Sequence, residues 1–269
     1  MRLARFSALC AAATMIISGV VSITSNVKAV DTSSSWFNPI SGAPPVQFRD
    51  AEWSLDGQHA LFVGYNNTLS RGTAYWYNPL DDSWFNITIN NGTANNLEYE
   101  SVEFWNDRMV VMGDCGPSGT WFRTNTTTNL LESKTDSDLK NAYVYDLMNI
   151  GGTMFAFGQN TTAGYAMSWY NNGTGWNPGW GAPSHTDSAY YGADWYAYGP
   201  NVSIFMVGSW NDNGTTRGLY QEYNVTPMNI TTISDTLVLA FTDIELDTSV
   251  PASPRMLITA AQRGVGTYG

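Results

Sequence analysis

The sequence predicts an all-β fold, a five-bladed β-propeller of four-stranded antiparallel blades that is closed by the N-terminal strand. Three observations support this prediction. Strand-length apolar runs, rich in aromatic and β-branched residues, recur between turns of Gly, Asp and Asn. The runs group in fours over roughly 45 residues, which is the period of a propeller blade. One such run stands alone near the N-terminus, and the last group lacks one.

The first repeated unit, Asp50–Phe85, shows the pattern most clearly. Its apolar runs are Ala51–Trp53, Ala60–Val63, Ala74–Tyr77 and Ser83–Ile87. Polar turn residues separate them, and each run has the length of a β-strand. The unit therefore predicts four consecutive antiparallel strands.

Four further units repeat this arrangement. The second unit spans Tyr99–Leu131, the third begins near Asn141, and two more follow before the C-terminus. Their predicted first strands contain, in order, Val102–Phe104, Tyr145–Leu147, Ala193–Trp195 and Ile244–Leu246. No segment combines a 3.6-residue period with helix caps, so no helix is predicted.

The N-terminal region holds a spare copy of a fourth strand. Ser35–Asn38 repeats the Ser-Trp-Phe-Asn of Ser83–Asn86, and no first three strands precede it. The fifth unit has only three runs, the last being Gly266–Tyr268. In a closed propeller the N-terminal strand can complete the last blade and leave no open sheet edge. The alternative is a larger ring interrupted after Tyr268.

Residues 1–29 have the pattern of a secretory signal peptide, and residues 30–269 are predicted to form a single propeller domain. Two arginines precede the apolar run Phe6–Val21, and Val27–Ala29 is a small-x-small cleavage site. A membrane anchor is the alternative, but the apolar core is interrupted by polar residues and is short of a span of roughly 20 residues. We therefore expect a secreted, extracellular or cell-surface protein with no transmembrane segment after signal cleavage.

Composition excludes some partners and favours others. The net charge of −11 and the pI near 4.4 argue against a nucleic-acid partner, because binding phosphates needs clustered Lys and Arg. Cys115 is the single cysteine after the signal, so no intrachain disulfide is expected, and the residue is read as a small buried hydrophobe. A reactive thiol or an intermolecular bridge is the alternative.

Ten Asn-x-Ser/Thr sequons after the signal predict surface glycosylation of an exported protein. Coincidence in a chain rich in Asn and Thr is the other interpretation. The sequons lie at Asn66, Asn86, Asn91, Asn125, Asn160, Asn172, Asn201, Asn213, Asn224 and Asn229.

Several turns resemble those of known propeller repeats. Trp53–Gly57 is similar to the W-S-P-D-G turn of TolB-like WD40 repeats, with Leu55 in place of the proline. Tyr77–Pro79 followed by Trp84 resembles the turn between the third and fourth strands of kelch-type repeats, which usually carry paired glycines after the second strand where this chain has one. Asp212–Thr216 faintly resembles an Asp-box. These resemblances imply a propeller and no particular activity.

The strongest candidate site is a set of acidic residues on the predicted first strands. Each precedes a bulky apolar residue, and the first strand of a blade lines the propeller axis. Five carboxylates at equivalent positions could form a ring that binds a proton or a hard cation such as Ca²⁺. Alternatively, each could accept backbone N–H groups and join its blade to the next. The residues are Glu52, Glu103, Asp146, Asp194 and Glu245.

The function that these features favour is a non-catalytic module that binds glycan or protein through loops on one propeller face. One alternative is a glycoside hydrolase that uses two of the same carboxylates, with Trp195, Tyr196 and Tyr198 as a sugar platform. Another is a self-assembling structural subunit of a surface layer or filament. His59 and His185 are the only histidines, and no Zn-type cluster is present. Apart from Ca²⁺ at the acidic ring, no cofactor is expected.

Overall fold

The computed structural model describes residues 44–89, 97–198, 201–225, 228–234, 240–247 and 255–261. These residues form β-strands connected by turns and loops, together with one 3-10 turn at Ser137–Leu139. Most strands belong to four sheets, each of four antiparallel strands in sequence order. We call these sheets blades 1 to 4, and we call the last, two-stranded sheet sheet 5.

The strand bounds follow the predicted repeat. Blade 1 contains β1 (Gln47–Trp53), β2 (Ala60–Asn66), β3 (Arg71–Asn78) and β4 (Ser83–Asn86). Blade 2 contains β5 (Tyr99–Trp105), β6 (Arg108–Gly113), β7 (Thr120–Thr124) and β8 (Leu131–Thr135). Blade 3 contains β9 (Ala142–Ile150), β10 (Thr153–Asn160), β11 (Tyr165–Asn171) and β12 (Trp176–Thr186). Blade 4 contains β13 (Ala189–Tyr198), β14 (Asn201–Asp212), β15 (Thr215–Val225) and β16 (Met228–Ser234), and sheet 5 contains β17 (Ala240–Asp247) and β18 (Arg255–Ala261).

The all-β, propeller-like architecture is therefore confirmed, with four complete blades in the described residues rather than five. Sheet 5 supplies the first two strands of the predicted fifth unit. The predicted closing strand Ser35–Asn38 and the predicted third strand Gly266–Tyr268 lie outside the described residues.

The predicted end of the second unit was wrong. The unit does not stop at Leu131, because β8 begins there and continues to Thr135. The strand reads Leu-Glu-Ser-Lys-Thr and only Leu131 is buried, so a search for apolar runs passes over it. The outermost strand of a blade has one neighbouring strand and one solvent-exposed face. It can therefore form through backbone hydrogen bonds with few apolar residues.

The core lies between neighbouring blades. One buried apolar cluster joins blades 1 and 2 through residues such as Leu61 and Val111, and further clusters join blades 2 and 3 and blades 3 and 4. Burial of each large apolar side chain contributes about 1.5–3 kcal/mol. Cys115 is fully buried in the cluster between blades 2 and 3, and burial raises the pKa of its thiol. The prediction of a buried hydrophobic Cys115 is confirmed, and the reactive-thiol alternative loses its basis.

Every inner strand carries a β-bulge near its start. The residue before the bulge pairs with a glycine of the second strand in all four blades, namely Gly64, Gly113, Gly158 and Gly208. A Cβ at any of these glycines would lie only 1.8–2.2 Å from a carbonyl oxygen of the inner strand or of the residue just before it. The glycine at this position of the second strand is therefore required in blades 1 to 4 by the close approach of the bulged backbone. Sheet 5 has the same bulge, with Ala260 at the paired position.

Candidate functional site

The five acids predicted to form a ring do not all occupy the same register position on their inner strands. Glu52, Glu103, Asp194 and Glu245 occupy equivalent positions. Each pairs with a second-strand residue that lies three positions before the partner of the residue preceding the bulge. Those partners are Gly64, Gly113, Gly208 and Ala260. Asp146 lies two residues earlier in its strand, opposite Phe157, and Met148 takes the equivalent position opposite Phe155. The premise of five equivalent carboxylates was therefore wrong at Asp146.

Two of these carboxylates join one blade to the next. Asp146 Oδ2 accepts the backbone N–H of Ala193 in blade 4 at 2.7 Å. Asp194 Oδ2 accepts the backbone N–H of Leu246 in sheet 5 at 2.8 Å, and Asp194 is 4% exposed. These contacts are those of the alternative interpretation, in which the acids hold neighbouring blades together.

Asp50 makes the same kind of contact, and the sequence did not single it out. It stands at the register position of Asp146 and accepts the backbone N–H of Val102 in blade 2 at 2.8 Å. The hydroxyl of Ser101 donates to the same oxygen at 3.0 Å. Burial raises the pKa of Asp50, and these hydrogen bonds oppose that rise. Burial likewise raises the pKa of Asp243, which takes this position in sheet 5.

The bulged positions carry unlike side chains, in contrast to these recurring acids. We call them the bulge residues, and they are Arg49, Glu100, Tyr145, Tyr191 and Thr242. A bulge re-aims a side chain and is common beside active sites. Arg49 Nε lies 3.7 Å from Glu100 Oε2, and the rings of Tyr145 and Tyr191 meet edge to face at 4.9 Å. Neighbouring inner strands thus bring together a cation, a carboxylate and two phenols.

Glu98, Glu100 and Tyr143 form an acidic cluster at this bulged end. The Tyr143 hydroxyl contacts Glu98 Oε2 and also lies 3.0 Å from Glu100 Oε1. A phenol carries one proton, so both contacts are hydrogen bonds only if one carboxyl group is protonated and donates to the phenol oxygen.

Burial raises the pKa of Glu100, and the nearby Glu98 adds to that rise. Arg49 and the Tyr143 hydroxyl lower the pKa of Glu100 in part. Burial and the two glutamates raise the pKa of Tyr143. The raised pKa of Glu100 shifts its carboxyl group towards the protonated form, which is the form that a hydrogen bond from this carboxyl group to the phenol oxygen requires.

A cavity of about 330 Å³ opens beside this cluster, between blades 3 and 4. We call it the blade 3–4 cavity. Tyr145 connects the two features, because its ring lies 4.7 Å from that of Tyr143 and it also lines the cavity. The lining combines three aromatic rings with side chains that can hydrogen-bond. Its residues are Tyr145, Gln159, Asp187, Ser188, Ala189, Tyr191, Ser209, Trp210, Asn211 and Thr216.

The aromatic walls of the cavity are held by neighbouring side chains. The Ser209 hydroxyl donates to the Tyr191 hydroxyl at 3.2 Å, and the ring of His185 meets that of Trp210 edge to face at 4.7 Å. The buried indole N–H of Trp210 makes no hydrogen bond to any described residue. A buried donor without a partner is unfavourable for the folded state.

The predicted sugar platform does not form part of this cavity. Trp195 packs against the apolar cluster between blades 3 and 4. Tyr196 is half-buried and is not among the lining residues, and the side chain of Tyr198 lies outside the described residues. Two of the three aromatic residues that line the cavity, Tyr145 and Tyr191, closely precede the predicted acids Asp146 and Asp194 in the chain.

The sequons differ in their surroundings. Asn86, Asn172 and Asn213 are exposed, whereas Asn224 lies within β15, part-buried and bonded to Ser203. Asn91 lies outside the described residues. Three sequons therefore present side chains that a glycan can reach directly.

Metal-ligating side chains are not clustered in the described part of the chain. Within it, no three His, Cys, Asp or Glu side chains are grouped so that they could hold a metal ion. A search of the same residues finds no helix with the length and hydropathy needed to cross a bilayer.

Comparison with known proteins gives structural likenesses alone. No protein-family model matches the sequence, and no curated protein matches it. Among solved structures, the chain is similar to hydrazine synthase of Kuenenia stuttgartiensis, with 8% identity and a TM-score of 0.49 over 70% of this chain. It spans 54% of that chain.

Two further solved structures are similar at the same level. For YjhT the identity is 11% and the TM-score 0.48, over 73% of this chain and 68% of that one. For a prolyl endopeptidase the identity is 12% and the TM-score 0.41, over 80% of this chain and 31% of that one. The four-stranded blades described above define the chain as a propeller-like all-β protein.

Proposed function

We propose that the chain is a secreted, extracellular or cell-surface propeller that acts as a non-catalytic binding module for glycans. The observation that carries this proposal is the blade 3–4 cavity, where aromatic rings and hydrogen-bonding side chains share one wall. A sugar ring has an apolar face and a hydroxyl-bearing edge. Tyr191 and Trp210 can pack against the face, while Gln159 and Asn211 can bond the hydroxyls.

The signal-peptide pattern and the exposed sequons support export, since both belong to proteins that enter a secretory route. A protein of the cell exterior meets glycans on surfaces and in matrices. The low content of Lys and Arg leaves neutral ligands as better candidates than polyanions.

Closure of a fifth blade by Ser35–Asn38 is part of the same proposal. Sheet 5 has two described strands, and Met256 and Leu257 on β18 are 39% and 61% exposed. An apolar strand with such exposure needs a covering strand. A variant lacking residues 30–43 should then lose several degrees of melting temperature, whereas an unchanged melting curve would argue against closure by this segment.

A glycan array probed with the secreted chain tests the binding function. Trp210→Ala and Asn211→Ala should each weaken binding about tenfold, which corresponds to about 1.4 kcal/mol. Phe85→Ser is the matched control, because Phe85 is 60% exposed at the opposite end of the molecule. Binding that survives both cavity variants, or is lost equally in the control, would count against the blade 3–4 cavity.

The acidic cluster favours one second candidate, a glycoside hydrolase that uses Glu98 and Glu100 rather than the five predicted acids. Such enzymes need two carboxyl groups with different proton affinities flanking a sugar. Both glutamates contact the Tyr143 hydroxyl, and the raised pKa of Glu100 suits an acid. Turnover of a bound sugar that is abolished by Glu100→Gln, with binding retained, would establish catalysis. Binding without turnover leaves the module non-catalytic.

A further inference from the structure

A second concave surface lies at the end opposite the bulges, between blades 1 and 2. We call it the blade 1–2 groove, and its volume is about 560 Å³. The turns β1–β2, β3–β4 and β7–β8 surround it. In antiparallel blades these turns lie at the end away from the start of the inner strands, so the groove is separate from the blade 3–4 cavity.

Two adjacent aromatic side chains form one wall of the groove. Trp76 and Phe85 are directly opposite each other on β3 and β4, so their side chains share a face of the sheet. The Trp76 indole N–H donates to the carbonyl of Asn129 in blade 2 at 3.0 Å. This bond fixes the indole across two blades and uses its donor. The faces of the aromatic rings are therefore what a partner can contact on this wall.

Exposed leucines continue this apolar surface around the rim. Leu55, Leu80 and Leu130 are 76%, 85% and 43% exposed, and the turns that carry them also supply residues of the groove lining. With Phe85, they make up four of the seven exposed large hydrophobic residues in the described part of the chain. A concentration of exposed apolar side chains at one place marks an interaction surface.

The charge of the same turns is negative. Asp56 lines the groove, and Asp81 and Asp82 lie in the β3–β4 turn. The cations at this end of blade 2 are already engaged, since Arg123 Nε contacts Glu132 at 2.6 Å and Arg108 Nε contacts Asp107 at 3.0 Å. A second copy of this chain would bring the same acids, and like charges oppose such pairing.

We propose that the blade 1–2 groove docks a partner protein through an extended segment that carries Lys or Arg next to apolar side chains. The apolar residues pack on Trp76 and Phe85, and the cations face Asp56, Asp81 and Asp82. This contact is independent of glycan binding in the blade 3–4 cavity, and together the two surfaces connect a glycan to a protein.

Selection from a random peptide library on the immobilised, secreted chain tests the proposal. Enriched peptides should combine Lys or Arg with apolar residues, and their affinity should fall as salt is added. Phe85→Ser and Leu80→Ser should each weaken binding about tenfold or more. Leu69→Ser is the matched control, because Leu69 is 54% exposed at the other end of blade 1, and it should bind as the unaltered chain does.

Several outcomes would overturn the proposal. These are the absence of enriched peptides, enrichment of peptides without cations, and equal binding by the Phe85→Ser and Leu69→Ser variants. Self-association that is abolished by Phe85→Ser in sedimentation would show instead that a second copy fills the groove. Loss of array glycans in Phe85→Ser, with no effect of Trp210→Ala, would show that the groove is a glycan site.

Discussion

The inner strands contain two sets of polar residues that lie a few positions apart and behave differently. The first set consists of Asp50, Asp146 and Asp194, which come from two register positions, and each accepts a backbone N–H group of the neighbouring blade or sheet. The second set, the bulge residues, is unlike from blade to blade and includes two tyrosines of the blade 3–4 cavity. The shared contact with a neighbouring blade identifies the acids that hold the propeller together, and variation at the bulge position identifies residues that can recognise a ligand.

Gly208→Ala should have the largest effect, because it disturbs both sets at once. Its Cβ would lie 1.8 Å from the carbonyl oxygen of Ala189, so β13 or β14 must move. We expect a loss of about 3 kcal/mol in the free energy of unfolding or failure to fold. Gly214→Ala is the control, since it has open space and only a positive φ of 88°, and it should cost about 1 kcal/mol. Equal stabilities in urea unfolding would contradict the close approach.

Asp194→Ala should separate architecture from recognition. It leaves the N–H of Leu246 buried without its acceptor, which should lower the free energy of unfolding by about 2–3 kcal/mol. Asp194→Asn keeps an acceptor and should lose less. Glycan affinity of the folded fraction should be unchanged in both variants. A loss of affinity without a loss of stability would mean that Asp194 recognises the ligand, and the two sets of residues would then not have separate roles.

Tyr145→Ala tests the opposite case. Tyr145 is half-buried at the bulge and contacts Tyr143 and Tyr191. We expect glycan affinity to fall about tenfold while the free energy of unfolding changes by about 1 kcal/mol. Isothermal titration and urea unfolding of one preparation measure both quantities. A fall in stability alone would mean that the bulge residues are structural.

Glu100→Gln should have the smallest effect, and it should be visible in the pH dependence of stability. Because the pKa of Glu100 is raised from its ordinary value of 4.5, its contribution to stability is present at acidic pH and is lost as the pH rises through the folded-state pKa. Asp50 and Asp243 act in the same direction. These three groups should therefore favour mild acid over neutral pH, whereas Asp56, Asp107 and Glu132, whose pKa values are lowered, act in the opposite direction. The Glu100→Gln variant should show a smaller difference, and an unchanged pH profile would argue against a protonated cluster.

The blades were predictable because apolar runs and turn residues alternate with a regular period. The first unit of the sequence became blade 1 with strands at the expected places. The outer strand β8 was not predictable in this way, because only Leu131 of its five residues is buried. Its position depends on hydrogen bonds to β7 rather than on side chains.

The site was less predictable than the fold, since register depends on how two strands pair. Asp146 precedes a leucine, as Glu245 does, and so resembled the other inner-strand acids. The pairing of β9 with β10 shows that it lies two residues earlier. Tyr145 and Tyr191 were not identified from the sequence either. A β-bulge has no characteristic sequence within the inner strand and is recognised only from the pairing of that strand with the second strand. The glycine that follows the apolar run of the second strand in blades 1 to 4 was the one available clue.

The bulges also have a consequence for engineering. An extra residue in an inner strand has no partner in the adjacent β-strand, so its side chain can be exchanged without disturbing a cross-strand pair. Five such positions lie at one end of the fold, and in blades 1 to 4 the glycine that accommodates the bulged backbone does so whatever side chain the bulge residue carries. A combinatorial library confined to these five positions would therefore vary ligand preference while keeping the scaffold constant.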